Sequence, residues 1–241
     1  MRVLLLVFPV GLVLLLVTQW TCGDLWPLRT FIVRNMTFPS NTPFIETLTT
    51  TSVCRCKMRC LTSVKCEAFT AVPVAGQTFQ CSLSTEGPGT KTPVPSLQGA
   101  VYGYKLAKLE SSFVVTEEAD GLVYFSPSDI TVNDIPPARS YCKKFPGFRL
   151  GIMKTESQLN IGNKLSTSIG HSFRIDLQKI GSTLNWGDGT LFNLSLSRYI
   201  KYLGGSNDDT FRIMKDGIYV VQQDDINKWV LCQGNDKDEA W

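Results

Sequence analysis

Eight cysteines, one histidine and a few adjacent carboxylates are the residues of this 241-residue chain that could carry chemistry. Cys54, Cys56, Cys60, Cys66 and Cys81 crowd together, a grouping that serves either a thiolate zinc site or a set of disulfides. Zinc sites pair short Cys-x-x-Cys units, and no histidine stands near, so disulfides are expected and no metal ligand is assigned. His171 is followed by Ser172, but a nucleophile and its base are matched by spatial geometry, so a histidine in a loop at a helix end is expected. Glu117-Glu118, Asp208-Asp209 and Asp224-Asp225 are chain neighbours. Such spacing does not set an acid and a base on opposite sides of a bond, and solvated loop positions are the expected role. No catalytic residue and no cofactor is assigned, and the chain is expected not to be an enzyme.

The composition narrows the setting. Hydrophobic residues make up 43%, charged residues 19%, and the net charge is +3, values of a globular protein without the clustered basic face of a nucleic-acid binder. The length suits two modest domains. Residues 3–17 are apolar apart from Pro9 and Gly11 and follow Arg2, the pattern of a signal peptide and short of the roughly 20 residues that span a membrane. Cleavage after Gln19 keeps Cys22 and an even cysteine count; cleavage after Gly23 is favoured by the small Thr21 at the minus-three position. A signal peptide over 1–19, ending at the latest at 23, places the protein in the oxidising secretory pathway and outside the cell.

The elements that must position these residues read as follows. Residues 30–34 and 36–38 are β-branched and aromatic and end at Pro39, so they predict strand. Ser52 can cap a helix on which Cys56 and Cys60, one turn apart, share a face with Val53. Gly87-Pro88-Gly89 with Pro93 and Pro95 marks a loop, and residues 100–106 predict a closing strand. The composition then shifts, and 108–118 is expected to link two domains. Asn35-Met36-Thr37 and Asn193-Leu194-Ser195 are sequons, making Asn35 and Asn193 the expected glycosylation sites.

The Cys56-x-x-x-Cys60, Cys66-Glu67-Ala68-Phe69 and Cys81-Ser82-Leu83 pattern over residues 24–107 resembles the PAN/apple family, in which a short helix is stapled to a curved sheet. The resemblance implies the pairs Cys56 with Cys81 and Cys60 with Cys66. A bond between Cys22 and Cys54 would use the remaining thiols of this half. Apple-like domains bind proteins or glycans.

Beyond the linker, Gly121 to Phe125 predicts a strand, and Asn133 or Asp134 then caps a helix with Pro136 in its first turn. Ala138, Tyr141, Cys142 and Phe145 form its apolar face. Thr155 to Gln158 has capping-box spacing, and Ile161, Leu165 and Ile169 form an apolar row that Gly170 ends. Phe173, Ile175 and Leu177 alternate with Arg174 and Asp176, a half-buried strand pattern. Leu184-Asn185-Trp186-Gly187-Asp188-Gly189-Thr190 enters a loop, because neither glycine favours a central strand. Asp216-Gly217 predicts a hairpin, and residues 229–232 close as a last strand. A Cys142–Cys232 bond would tie the first helix to that strand.

This order, with Trp186-Gly187-Asp188-Gly189-Thr190 and the terminal Trp229-Val230-Leu231-Cys232, resembles the C-type lectin-like family over residues 119–236, leaving 237–241 as a tail. The resemblance implies that Trp186 packs as core and that the following loop carries the ligand surface: Lys201, Tyr202, Ser206, Asn207, Asp208 and Asp209. The Glu-Pro-Asn or Gln-Pro-Asp triplet and the Trp-Asn-Asp triplet through which such lectins hold sugar on calcium are absent. Asn207, Asp208 and Asp209 could offer calcium some oxygens, but adjacent acids in a Gly-rich loop are read as solvated, and calcium-dependent sugar binding is not expected. The expectation is an α+β chain of two disulfide-stapled domains: an apple-like curved sheet with one helix, then a C-type lectin-like unit with two helices and mixed strands. It is expected to be a secreted, non-catalytic recognition protein for glycans or extracellular proteins, in a setting such as innate defence. The alternative is a structural or matrix protein whose modules dock onto other proteins.

Overall fold

The computed structural model describes residues 30–106, 113–117, 121–128, 130–132, 134–201, 210–220 and 228–235. The first half opens with β1 (Thr30–Arg34), β2 (Met36–Thr37), β3 (Glu46–Thr50) and α1 (Val53–Thr62). It continues through β4 (Ala68–Val74), β5 (Thr78–Ser84), β6 (Val94–Pro95) and β7 (Val101–Lys105). An antiparallel sheet runs β1-β7-β4-β5-β3, and β2 pairs with β6. Ser52 caps α1 by accepting the Arg55 N–H at 3.3 Å, satisfying one of the donors that a helix start leaves open. Cys56 and Cys60 face inward from successive turns, where Cys56 bonds Cys81 on β5 and Cys60 bonds Cys66 just before β4. Cys54 is also disulfide-bonded; Cys22, the partner expected for it, lies outside the described residues.

The second half begins with β8 (Phe113–Glu117), β9 (Leu122–Pro127), β10 (Thr131–Val132) and α2 (Ile135–Cys142). Then come β11 (Phe148–Leu150), α3 (Glu156–Ile169), β12 (Phe173–Ile180), β13 (Thr183–Trp186) and a 3-10 helix, Leu194–Tyr199. The last strands are β14 (Ile200–Lys201), β15 (Thr210–Met214), β16 (Gly217–Val220), β17 (Lys228–Val230) and β18 (Cys232–Asn235). One sheet has the order β11-β18-β9-β8 and the other β10-β17-β12-β15-β16-β14, with β13 on β12. The arrangement is mixed, because β12 runs parallel to β17 and β14 parallel to β16.

Three differences from the sequence reading have physical causes. Residues 113–117, expected inside the 108–118 linker, pair antiparallel with β9, as their aromatic and β-branched run Phe-Val-Val-Thr favours. On β12 the alternation does not mark a half-buried strand: Arg174 and Asp176 are buried with Phe173, Ile175 and Leu177, because α2 covers the second face. At α3, Thr155 accepts the Gln158 N–H, but Gln158 Oε1 accepts from Lys154 N, one residue before the capping-box partner.

The two halves share apolar packing. Phe31 of β1 lies 4.6 Å from Phe148 of β11, ring centre to ring centre, and 5.6 Å from Tyr104 of β7. Tyr104 donates its hydroxyl to the Pro146 carbonyl at 3.1 Å. A continuous cluster therefore runs from Phe31, Tyr102 and Tyr104 to Phe125, Ile135 and Phe148, crossing the boundary expected between 24–107 and 119–236. Contacts of this kind across two segments resist relative motion.

Candidate functional site

The Trp186 to Thr190 turn is built from backbone first. Trp186 N–H donates to Thr190 O at 2.8 Å, Gly189 N–H to Trp186 O at 2.9 Å, and Gly187 N–H to Asp176 O at 2.8 Å. Gly189 has φ +86°, a conformation that side chains disfavour. The indole is 2% exposed and tilts against Phe192 at 5.9 Å, so Trp186 is core.

Asp188 closes the turn. Its Oδ1 accepts from the Thr190 N–H at 3.1 Å and from the Thr190 hydroxyl at 2.7 Å, while Oδ2 faces Lys154 Nζ at 2.5 Å and Arg149 Nη1 at 3.5 Å. Partial burial raises its pKa, but the bonds from Lys154 and Thr190 outweigh this and hold the carboxyl at about 2. The pKa is depressed, so the stability Asp188 contributes is present above its ordinary value of 3.8 and is lost as pH falls towards about 2. Acid unfolding of Asp188→Asn, followed by circular dichroism, is expected to show a shallower loss of stability across this window than the native chain. Parallel acid limbs would refute the assignment.

Below the turn lies a second charged pair. Arg139 of α2 grips Asp176 through Nε at 2.9 and 3.0 Å and Nη2 at 2.6 Å, and Nη2 also reaches Gln178 Oε1 at 3.0 Å. Burial lowers the Arg149 guanidinium from its ordinary value, opposed by the nearby charges of Asp188 and Asp176. Gln233, fully buried on β18, donates to Tyr124 Oη at 3.0 Å and accepts from Ile152 N–H at 3.2 Å. Arg139 thus ties α2 to β12, and Gln233 ties β18 to β9 and to the segment after β11, which makes these groups a frame.

The expected ligand residues are Lys201, Tyr202, Ser206, Asn207, Asp208 and Asp209; of these, all but Lys201 lie outside the described residues. Lys201 ends β14, with its ammonium 2.7 Å from Asp216 Oδ2 and 5.9 Å from the centre of the Tyr219 ring. Tyr219 donates to Asp216 Oδ1 at 2.6 Å. The ends of segment 202–209 are placed by strand order: β14 and β15 flank β16, with Lys201 opposite Tyr219 and Phe211 opposite Val220. Both stems of the segment thus stand on either side of one strand.

His171 lies flat on Trp229, with ring centres 4.5 Å apart and planes 10° from parallel. The Ser166 hydroxyl bonds the His171 carbonyl, not its ring. Among the described residues, no three His, Cys, Asp or Glu side chains converge as metal ligands. Asn35 and Asn193 are both exposed, and each holds a following backbone N–H on its Oδ1: Gly99 at 3.0 Å and Ser195 at 3.0 Å. Sequence reasoning missed the Arg139–Asp176 pair and a cavity at Tyr141 and Lys144; the basic Lys143-Lys144 following an apolar helix face was the one signal for the latter.

No protein-family model matches the chain, and no curated protein matches it. Among solved structures, human lithostathine is similar at 12% identity with a TM-score of 0.40, over 50% of this chain and 88% of its own. A second structure of human lithostathine is similar at 13% identity and a TM-score of 0.40, over 50% of this chain and 96% of its own. Natural killer cell receptor Ly49C is similar at 13% identity and 0.42, over 53% of this chain and 97% of its own. Likeness at this level says nothing of ligand or partner. Among the described residues no helix is long and apolar enough to cross a membrane.

Proposed function

We propose that this is a secreted recognition protein without a catalytic step, an apple-like unit followed by a C-type lectin-like unit, binding glycans or extracellular proteins through the 201–209 surface. The observation that carries the reading is the placement of the two stems of 202–209 on either side of β16, in a half whose last strand pairs with β9, the second of its strands. β9 and β18 lie side by side with Leu122 opposite Asn235, and the Cys142–Cys232 bridge reinforces this closure. A frame closed at its ends can present the intervening segment as a loop while remaining rigid itself. The bridges favour an oxidising compartment outside the cytosol. Docking of both units onto matrix proteins is the second reading, favoured by the buried apolar packing that joins the halves into one body.

The test is a glycan array probed with the intact mature protein, with and without a chelator, beside a variant in which 202–209 is replaced by a Gly/Ser segment. Sugar binding that survives chelation and falls at least about tenfold in the variant is the expected result, tenfold being about 1.4 kcal/mol. Binding abolished by the chelator would restore a calcium site at 207–209, and no sugar binding at all would favour the docking reading.

A further inference from the structure

A cavity of about 250 Å³ opens where the two halves meet, somewhat smaller than the roughly 300–1,000 Å³ of drug-sized sites and suited to one ring. Tyr104, Tyr141 and Phe145 line it, together with Glu67, Lys105, Lys144 and the 87–90 turn. Its walls are preformed. Phe145 is buried edge-on against both Tyr141 and Phe125, and the Tyr104 hydroxyl is held by the Pro146 carbonyl. The Gly87 carbonyl accepts from Thr90 N–H at 3.1 Å, Lys91 N–H at 2.9 Å and the Thr90 hydroxyl at 3.0 Å, which fixes the turn.

The polar groups define a chemistry. Lys105 Nζ donates to the Ser63 carbonyl at 2.8 Å, and the exposed Lys144 holds its ammonium 5.3 Å from the Tyr141 ring centre. Two ammonium groups and one carboxylate, Glu67, leave a positive charge in excess, which attracts an anion. An aromatic wall suits the apolar face of a ring, and a carboxylate beside it suits hydroxyl donors. A carboxylate has about four acceptor sites, so Glu67 can take a ligand hydroxyl beside its contacts within the protein, and an aromatic acid offers none.

We propose that this cavity binds a single sugar ring carrying a carboxylate, with its apolar face on Tyr141 and its acid group at Lys144. The site shares no residue with 201–209, so it stands or falls separately from the loop reading.

The test is calorimetric titration of the intact mature protein with methyl glucuronoside, methyl glucoside and benzoate. Glucuronoside is expected to bind about two- to fivefold more tightly than glucoside, the difference one exposed ion pair supplies. Lys144→Gln should erase that difference, and Tyr141→Ala should weaken both sugars about tenfold or more, with near-ultraviolet circular dichroism showing both variants folded. Lys144 is exposed, so the first variant keeps the proposal testable should the second misfold. Equal binding of the two glycosides, a difference that persists in Lys144→Gln, benzoate binding as tightly as glucuronoside, or no binding would each overturn the site. The Gly/Ser replacement of 202–209 should leave glucuronoside affinity unchanged, so a failed loop reading and a failed cavity are distinguishable.

Discussion

Replacing both Cys142 and Cys232 by alanine is expected to lower the unfolding free energy by about 4 to 5 kcal/mol in the chain-entropy model. The bridge spans a sequence separation of 90 and joins the last residue of α2 to the first of β18. Cross-linking positions so far apart removes more freedom from the unfolded chain than closing a short loop. In the same model Cys60–Cys66, with a separation of 6, contributes about half as much, about 2 kcal/mol. Both sulfurs of the long bridge also lie fully buried in the cluster that joins the halves, so alanine leaves unfilled volume there. Urea denaturation of the oxidised double variant against the native protein measures the difference. A change below about 1 kcal/mol would show that β9, β11 and β18 close the second half without covalent help.

Gly187→Ala is expected to be nearly as damaging, at about 3 to 5 kcal/mol, although it adds one methyl group in an exposed turn. A Cβ at this position would lie 1.9 Å from Asp176 Oδ2 and 2.4 Å from Oδ1. The carboxylate would have to leave the Arg139 fork, and Asp176 is 4% exposed, so it would lose its partner without gaining water. Breaking a buried pair on one side is costly because an uncompensated charge stays behind. Gly189→Ala two residues on is the control. Its φ of +86° strains any side chain but nothing lies within 4 Å, so only about 1 kcal/mol is expected. A double-mutant cycle of Gly187→Ala with Asp176→Ala isolates the cause, since the glycine change should be far milder once the carboxylate is gone. Equal penalties in both backgrounds would sink the explanation.

These two effects differ in how far the chain announces them. The Cys142–Cys232 bond is foreshadowed by a cysteine on the inner face of one amphipathic helix and another at the end of the apolar run 229–232. That run is not the single last strand expected: it is divided between β17 and β18, which join different sheets. The need for glycine at 187 is not foreshadowed. Gly187 reads as a turn former, whereas its constraint comes from a carboxylate eleven positions earlier that strand pairing carries alongside it.

The same division holds throughout. Caps at Ser52, Asp134 and Thr155, the helix end at Gly170, the hairpin near Asp216 and the mixed α+β composition are local properties, set by hydrogen bonds and turns within a few residues. They are legible because neighbours in the chain are neighbours in space. Burial of Arg174 and Asp176, the Arg139 grip, the shared cluster around Phe31 and Phe148, and the cavity beside Lys144 depend on which faces meet. Periodicity says that a strand has an apolar face, but only packing decides what covers the other one. Here α2 covers it, and a polar row that would otherwise face water becomes the charged frame beneath the Trp186 turn.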